Sequence, residues 1–561
     1  MKKIFVVVLG FIAFGFVGLS QENNGEYKVS TDGINQWHLL DLQVDGVPGV
    51  GADRAYKELL AGKKSSQVVV AIIDSGTETF HPDLAPNIWT NEDEVSGNGL
   101  DDDRNGYVDD VHGWSFIGGP NGDVGVDNLE FTRIYRGLND RFGKVTSAKS
   151  VSKADKADYE RYLKMKEVYG TRIKEAEENL MNYNMIAMFY ENSHNAIKTA
   201  LGKEDYTAEE VMAIQADDDF MKAAQQFVLM ALEQNFAGEI EEGKKHFETL
   251  TKYQLNLDFD PRSMVGDNYN DINEKIYGNN HVDGPEAEHG THVGGIVGAA
   301  RNDFGMNGVA DNVRLMVIRC VPNGDERDKD VANSIRYAVD NGAKIINMSF
   351  GKSFSPGKDA VDAAVKYAES KGVLLVHAAG NDAQDNDTGA NFPKAKYEDG
   401  GKCTTWIEIG ASSPNETNLA ADFSNYGKTT VDVFAPGVDI YSTVPNAEYK
   451  DNSGTSMAAP VVAGVAAAIL SYYPNLSGSD LKQILMQSAT VYKDASTVKF
   501  VERKAMGRFF AKIFISKKKD AESEPSRRTY KLKEVKFSEY SVTGGVVNMY
   551  EAVKLAEKWG K

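Results

Sequence analysis

Six runs along the chain are apolar and β-branched with no alternation: VVVAIIDS from Val68, VRLMVIRCV from Val313, KIINMSF from Lys344, VLLVHAA from Val373, WIEIGAS from Trp406 and VDVFAPG from Val431. A strand with one wet face alternates, so uninterrupted runs predict strands covered on both faces, as in a parallel sheet. Helical patterns at Val331 to Val339 and Asp359 to Ser370 separate some of them, each ending at a glycine, Gly342 or Gly372. Alternating strand and helix predicts a three-layer α/β domain with a mostly parallel sheet, whose ligands sit at the carboxyl ends of the strands.

Two stretches break this rhythm. Over 119–280 the chain turns charged, with long Glu, Lys, Met and Tyr patterns at Ala154 to Leu180 and Ala208 to Glu233, the second preceded by a Thr207 cap. Such periodicity predicts a mainly helical insertion of two or more long helices. Over 496–540 the basic group Lys517 to Lys519 and the polar AESEPSRR predict an insertion or surface loop. The α/β domain is then expected in parts, 21–118 and 281–495, closed by a segment and last helix at 541–561.

Composition narrows the class. The chain has 561 residues, 42% hydrophobic, which supports one large core carrying insertions. A formal charge of -20 opposes tight binding to nucleic acid or an anionic membrane surface. Residues 1–20 place Lys2 and Lys3 before an apolar run from Ile4 to Val17 and then Gly18, Leu19 and Ser20. This is the pattern of a signal peptide, too short for a spanning helix, and no later segment is long and apolar enough to span. Export to the periplasm, the cell surface or the medium is therefore expected. Cys320 and Cys403 make no disulfide framework; pairing and free thiols both stay open.

Four segments carry candidate chemistry. Asp74 ends the first strand, where sites are built, although a strand-terminal Asp also caps helices and forms turns. His289 lies in EHGTHVGGIVGAA, whose small residues let a helix press on neighbouring backbone. With His292 three residues on, a metal site is the competing reading, but the HExxH arrangement is missing. Ser456 opens a helix in SGTSMAAPVVAGVAAAIL that is apolar all round and so buried, with free N–H groups and positive dipole potential beside the hydroxyl; an ordinary N-cap serine is the alternative. Asn381 follows VLLVHAAG, where its amide can donate to an oxyanion or shape a turn.

A hydroxyl needs a base, and the base a carboxylate that fixes its tautomer. The chain order Asp, His, Ser matches neither the Ser, acid, His order of α/β-hydrolases nor the His, Asp, Ser order of chymotrypsin-type enzymes. The segments VVVAIIDSG, HGTHVGGIVG, NMSFG, AAGN and SGTSMAAP resemble the signatures of the subtilisin-like serine proteases. The resemblance implies a subtilisin-like fold, Asp74, His289 and Ser456 as the triad, Asn381 as oxyanion donor, and Ser349, Phe350 and Gly351 as the strand that pairs with a bound peptide. It covers roughly residues 37–116 and 284–495 and the closing GGVVNMYEAVKLAEK, not the helical insertion.

Together these features predict a serine endopeptidase that cleaves polypeptides through an acyl-enzyme with no catalytic cofactor. A catalytically silent secreted binding or scaffold protein on the same fold is the rival, and a metallopeptidase the third reading. No separate prodomain is evident before the first strand. The insertion, lying between Asp74 and His289, is expected to stand beside the cleft and restrict which peptides enter, or to act as a buttress or dimer surface. Finally, GNGLDDDRNGYVDDVHGW sets Asp101, Asp103, Asn105 and Asp109 at positions one, three, five and nine of a calcium loop, with Gly106 at six but His112 at twelve. A structural calcium or a solvated acidic loop is expected there.

Overall fold

Strand β1 (Val68–Asp74) lies inside a sheet of nine strands in a computed structural model that describes residues 36–233, 236–415, 418–492, 497–501 and 532–559. The signal segment and Lys517 to Lys519 fall outside these residues. In chain order the other strands of the sheet are β2 (Gly113–Ser115), β3 (Val313–Arg319), β4 (Ile345–Met348), β5 (Leu374–Ala378), β6 (Trp406–Ser412), β7 (Val433–Pro436), β8 (Thr490–Val491) and β9 (Gly545–Val546). Their spatial order is β8-β9-β7-β6-β5-β4-β1-β3-β2, and every pairing is parallel except β8 with β9. The six apolar runs are thus six central strands. The short strand β2, within HGWSF, gave no such signal, because three residues show neither run nor alternation.

The chain divides into two compact units. The larger holds the sheet and the helices that cover it: α1 (Glu288–Gly298), α2 (Asp328–Asp340), α3 (Lys358–Ser370), α4 (Thr455–Tyr472), α5 (Gly478–Gln487) and α6 (Met549–Ala556). One apolar cluster joins α1, α4, α5 and α6 to one face of the sheet, and a second joins α2 and α3 to the other, which makes the three layers. Gly342 and Gly372 adopt φ of +87° and +72°, the left-handed conformation that ends a helix without a Cβ penalty.

The smaller unit is Phe131–Asp260, narrower than the stretch read as helical from composition. It is built on one helix of 46 residues, Lys156–Leu201, against which Asp219–Glu233 and Phe236–Thr249 pack through Phe227, Ala231 and Ile240. Thr207 and Glu210 form the expected capping box, but that helix stops at Met212. The next is started by Asp218, whose carboxylate accepts from Met221 N at 2.7 Å, so the expected Ala208 to Glu233 helix is two. The late interruption also differs from a plain loop: Thr497–Val501 pairs antiparallel with Leu532–Lys536, and Phe537 and Tyr540 are buried against Phe434. Cys320 and Cys403 are both buried and free.

The larger unit holds buried charge close to where the smaller one departs and returns. Lys352 Nζ lies 3.0 Å from Glu130, 2.8 Å from Asp328 and 2.7 Å from the Glu326 carbonyl. Burial pushes the Glu326 carboxyl up to about 8, against the pull of Lys352. Arg262, just past the return, forks onto Asp330 at 2.6 and 2.8 Å and onto Asp267 at 2.7 Å. Removing one partner of such a pair strands the other's charge, so Lys352→Ala is expected to destabilise the chain by about 3–5 kcal/mol. Urea unfolding measures it, and a midpoint equal to that of the wild type would contradict this account.

Candidate active site

Asp74 closes β1 beside the point where the strand order reverses, the crevice position of open α/β sheets. It is 1% exposed. Helix α1 comes close because Gly290 has no side chain: a Cβ there would lie 2.1 Å from the Gly76 carbonyl. That approach brings His289 Nδ1 to 2.7 Å from Asp74 Oδ1, which also accepts Ser75 N at 2.7 Å. A carboxylate can only accept, so Nδ1 carries the proton and Nε2 keeps its lone pair. Burial works against a charged ring, but the attraction and hydrogen bond of Asp74, with Glu288 adding, outweigh it and raise the His289 pKa. The ring remains 39% exposed and so can meet a ligand.

His292 has a different task. Its Nε2 faces the Lys450 carbonyl at 3.0 Å, and burial lowers its pKa to about 4, so it is a neutral ring holding the segment Glu448–Asn452. Among the described residues no metal-type cluster contains a histidine.

Ser456 stands in the first turn of α4, and Pro460 sits four residues on. Proline cannot donate the bond the Ser456 carbonyl would receive in a regular helix. The Ser349 hydroxyl donates there instead, at 2.9 Å, while Ser456 Oγ donates to the Ser349 carbonyl at 3.1 Å. In this rotamer Ser456 and His289 share no hydrogen bond. The backbone N–H of Ser456 is also unused by any described residue.

Asn381 turns its carbonyl away from the open side: Oδ1 accepts from Thr455 N and Thr455 Oγ1, both at 2.9 Å. Nδ2 is left to donate. A Cβ placed on Gly454 would meet Asn381 Nδ2 at 3.4 Å and Ser456 N at 3.6 Å, so the two donors border one small space that glycine leaves open. Thr455, not foreseen from sequence, fixes that orientation.

Of the residues expected to pair with a peptide, Ser349 and Phe350 are buried, Phe350 edge-on to His377. Gly351 is exposed, and neither its N–H nor its C=O has a partner among the described residues. Any strand-like pairing with a ligand therefore runs through backbone here.

The acidic loop rearranges the expected ligand set. Asp101 and Asp103 fall together with Glu94, their carboxylate oxygens within 4.8 Å of one another. Asp109 is used otherwise, accepting from Gly97, Asn98 and Gly99 N–H groups. Asn105 donates to Asp103 and Asp110 and accepts from Tyr107 N. His112 at position twelve faces the Trp89 carbonyl at 2.9 Å, and Gly106 makes the sharp turn at φ +98°. Glu94 Oε2 is buried without a partner, which suits a hard cation facing the three carboxylates.

A parallel-sheet scaffold that carries an acid-bound imidazole, a helix-terminal serine and an amide beside it has the components of a serine hydrolase. The chain belongs to the Subtilase family, whose profile matches residues 65–507, and so to the subtilisin-like serine peptidases. Subtilisin DY of Bacillus licheniformis is 39% identical over 208 residues, 37% of this chain and 72% of that protein. The thermophilic serine proteinase of Bacillus sp. (strain AK1) is 41% identical over 203 residues, 36% of this chain. Subtilisin E of Bacillus subtilis (strain 168) is 37% identical over 205 residues, also 36% of this chain. The matches span 46% and 51% of those two proteins, about half their length. Among solved structures, a protease of Pseudoalteromonas arctica matches with TM-score 0.36 and 26% identity over 48% of this chain and 70% of its own.

Proposed function

We propose that the chain is an exported serine endopeptidase acting on polypeptides through an acyl-enzyme on Ser456. The observation that carries this is the 2.7 Å bond from His289 Nδ1 to a buried Asp74, in a chain that also offers Ser456 N and Asn381 Nδ2 to one open space. In the reaction Ser456 Oγ leaves the Ser349 carbonyl and donates to His289 Nε2 instead. The hydroxyl proton passes to Nε2 as Oγ bonds to the scissile carbon, and the carbonyl electrons move onto its oxygen. Asn381 Nδ2 and Ser456 N–H receive that charge. Collapse breaks the C–N bond, and the imidazolium gives its proton to the leaving amine. Water then repeats the sequence on the ester, with no cofactor. The free edge at Gly351 suits main-chain pairing with an extended peptide.

Incubating a peptide library with the purified chain and with Ser456→Ala tests this reading. Cleavage by the first and not the second is expected; cleavage that persists in the variant, or none by either, refutes it. Export to the periplasm, surface or medium is proposed from the leader sequence. Contrary to the expectation that no later segment is long and apolar enough to span, α4 is so by length and composition, but it is buried in the core.

The acidic loop is proposed to hold a structural calcium through Glu94, Asp101 and Asp103. Calcium at a hundredfold its Kd is then expected to add about 2.7 kcal/mol to stability. Chelation is expected to lower the melting temperature of the wild type and leave that of Glu94→Gln unmoved. An unmoved wild type would end the proposal.

A further inference from the structure

Asn381 is exposed, in a loop that packing alone does not hold, yet an oxyanion donor must be placed to within a fraction of an ångström. Two residues around it have positive φ: Gly380 at +102° and Ala383 at +52°. A non-glycine residue in the left-handed region persists only where its surroundings over-determine it. Part of that determination is backbone pairing, Ala383 N to the Phe423 carbonyl at 2.8 Å and Tyr426 N to the Gln384 carbonyl at 2.9 Å, and part is one side chain from a distant part of the chain.

Asn425 is 3% exposed and follows the end of β6 by a loop. Its Nδ2 donates to the Ala379 carbonyl at 2.9 Å, two residues before Asn381. Its Oδ1 accepts from Asp382 N and from Gln384 N, both at 2.9 Å. Its backbone N–H donates to the Gly380 carbonyl at 2.8 Å. These bonds bracket Asn381 on both sides, and the two to Oδ1 straddle Ala383, the residue that adopts positive φ. The arrangement dictates which end of the amide is which, since a carbonyl lies on one side and two N–H groups on the other. Gly380 is required as well, because a Cβ there would sit 2.5 Å from Asn425 Nδ2. Asn386 and Asn391 add amide donors to the same Ala379 carbonyl at 2.8 and 3.0 Å. Neither of them touches the backbone on the far side of Asn381 through its side chain, so among these side chains Asn425 alone bonds on both sides of Asn381.

We infer that Asn425 is a positioning residue for the oxyanion amide: it clamps the 379–384 backbone so that Asn381 Nδ2 and Ser456 N–H face one point. This rests on the reading of Asn381 as oxyanion donor in a peptidase. Asn425 itself touches no reacting atom, and its effect passes wholly through Asn381.

The test is a double-mutant cycle in the full chain with a peptide substrate of the wild type. Asn425→Ala is expected to lower kcat about 10- to 100-fold with KM within about twofold, less than the roughly 10²–10³-fold loss of the donor itself. In an Asn381→Leu background the same change is expected to cost less than about twofold, because the group it positions is gone. Asn425→Asp keeps the acceptor for Asp382 N and Gln384 N but loses the donor to Ala379, and is expected to show the same kcat loss if the alanine variant does not fold. A wild-type kcat in a folded Asn425 variant overturns the inference. So does a loss of equal size in the Asn381→Leu background, which marks a general structural role. A wild-type chain that cleaves no peptide, or a Ser456→Ala chain that still does, refutes the peptidase reading instead, so the two failures are told apart.

Discussion

Ser456→Ala is expected to lower kcat about 10⁶-fold, or about 8 kcal/mol of transition-state stabilisation, a magnitude taken from the triad of subtilisin rather than derived from this geometry. The loss is that large because the nucleophile and its base act as one unit, and removing the hydroxyl idles the base. The fold is expected to hold. Ser456 Oγ makes one hydrogen bond, to the Ser349 carbonyl, and the reciprocal bond from Ser349 to the Ser456 carbonyl does not need it. The unfolding free energy is therefore expected to change by no more than about 1 kcal/mol. Peptide affinity measured by titration of the inactive variant is expected to match the wild type. A variant that keeps more than a thousandth of the activity would show that another group is the nucleophile.

Asp74→Asn carries the second largest effect, about 10⁴-fold in kcat, because an amide donor facing Nδ1 selects the wrong imidazole tautomer. It also makes a statement about pH. His289 must be neutral to take the serine proton, and its pKa is raised, so activity in the wild type is lost as pH falls through a value above that of an ordinary imidazole, about 6.5. With the carboxylate gone, the burial that opposes the charged ring stands nearly alone, and the acid limb of kcat/KM is expected to move to lower pH. A limb that stays in place in Asp74→Asn would mean that Asp74 does not set the ionisation of His289.

What the sequence made legible follows from how many residues share a signal. The central strands announce themselves because both faces are covered, so every position in VVVAIID is apolar. The helix of Ser456 is equally plain, since its full circumference is buried. The pairing of Asp74 with His289 could be expected from family resemblance but not from spacing, because 215 positions separate them. Side chains whose role depends on contacts far along the chain were invisible. Glu94 joins Asp101 and Asp103 from outside the loop that the calcium spacing described, while Asp109, in register, is spent on three N–H groups. Thr455 carried no signal of its own, and only the position of Asn381 gives it a purpose. In the smaller unit the charged pattern showed helix but not its extent, since a helix largely exposed along its length carries little periodic constraint.

The place of β1 between β3 and β4 has a consequence for biosynthesis. Its first partner, Val313 opposite Val68, is made roughly 240 residues after it, a delay on the order of 10 to 50 seconds at ordinary elongation rates. Throughout that interval a seven-residue stretch with almost no polar side chain has neither neighbour, and the whole of Phe131–Asp260 is made within it. On the proposed mechanism the acid is then made first and the nucleophile near the end, so cleavage waits until the sheet holds both.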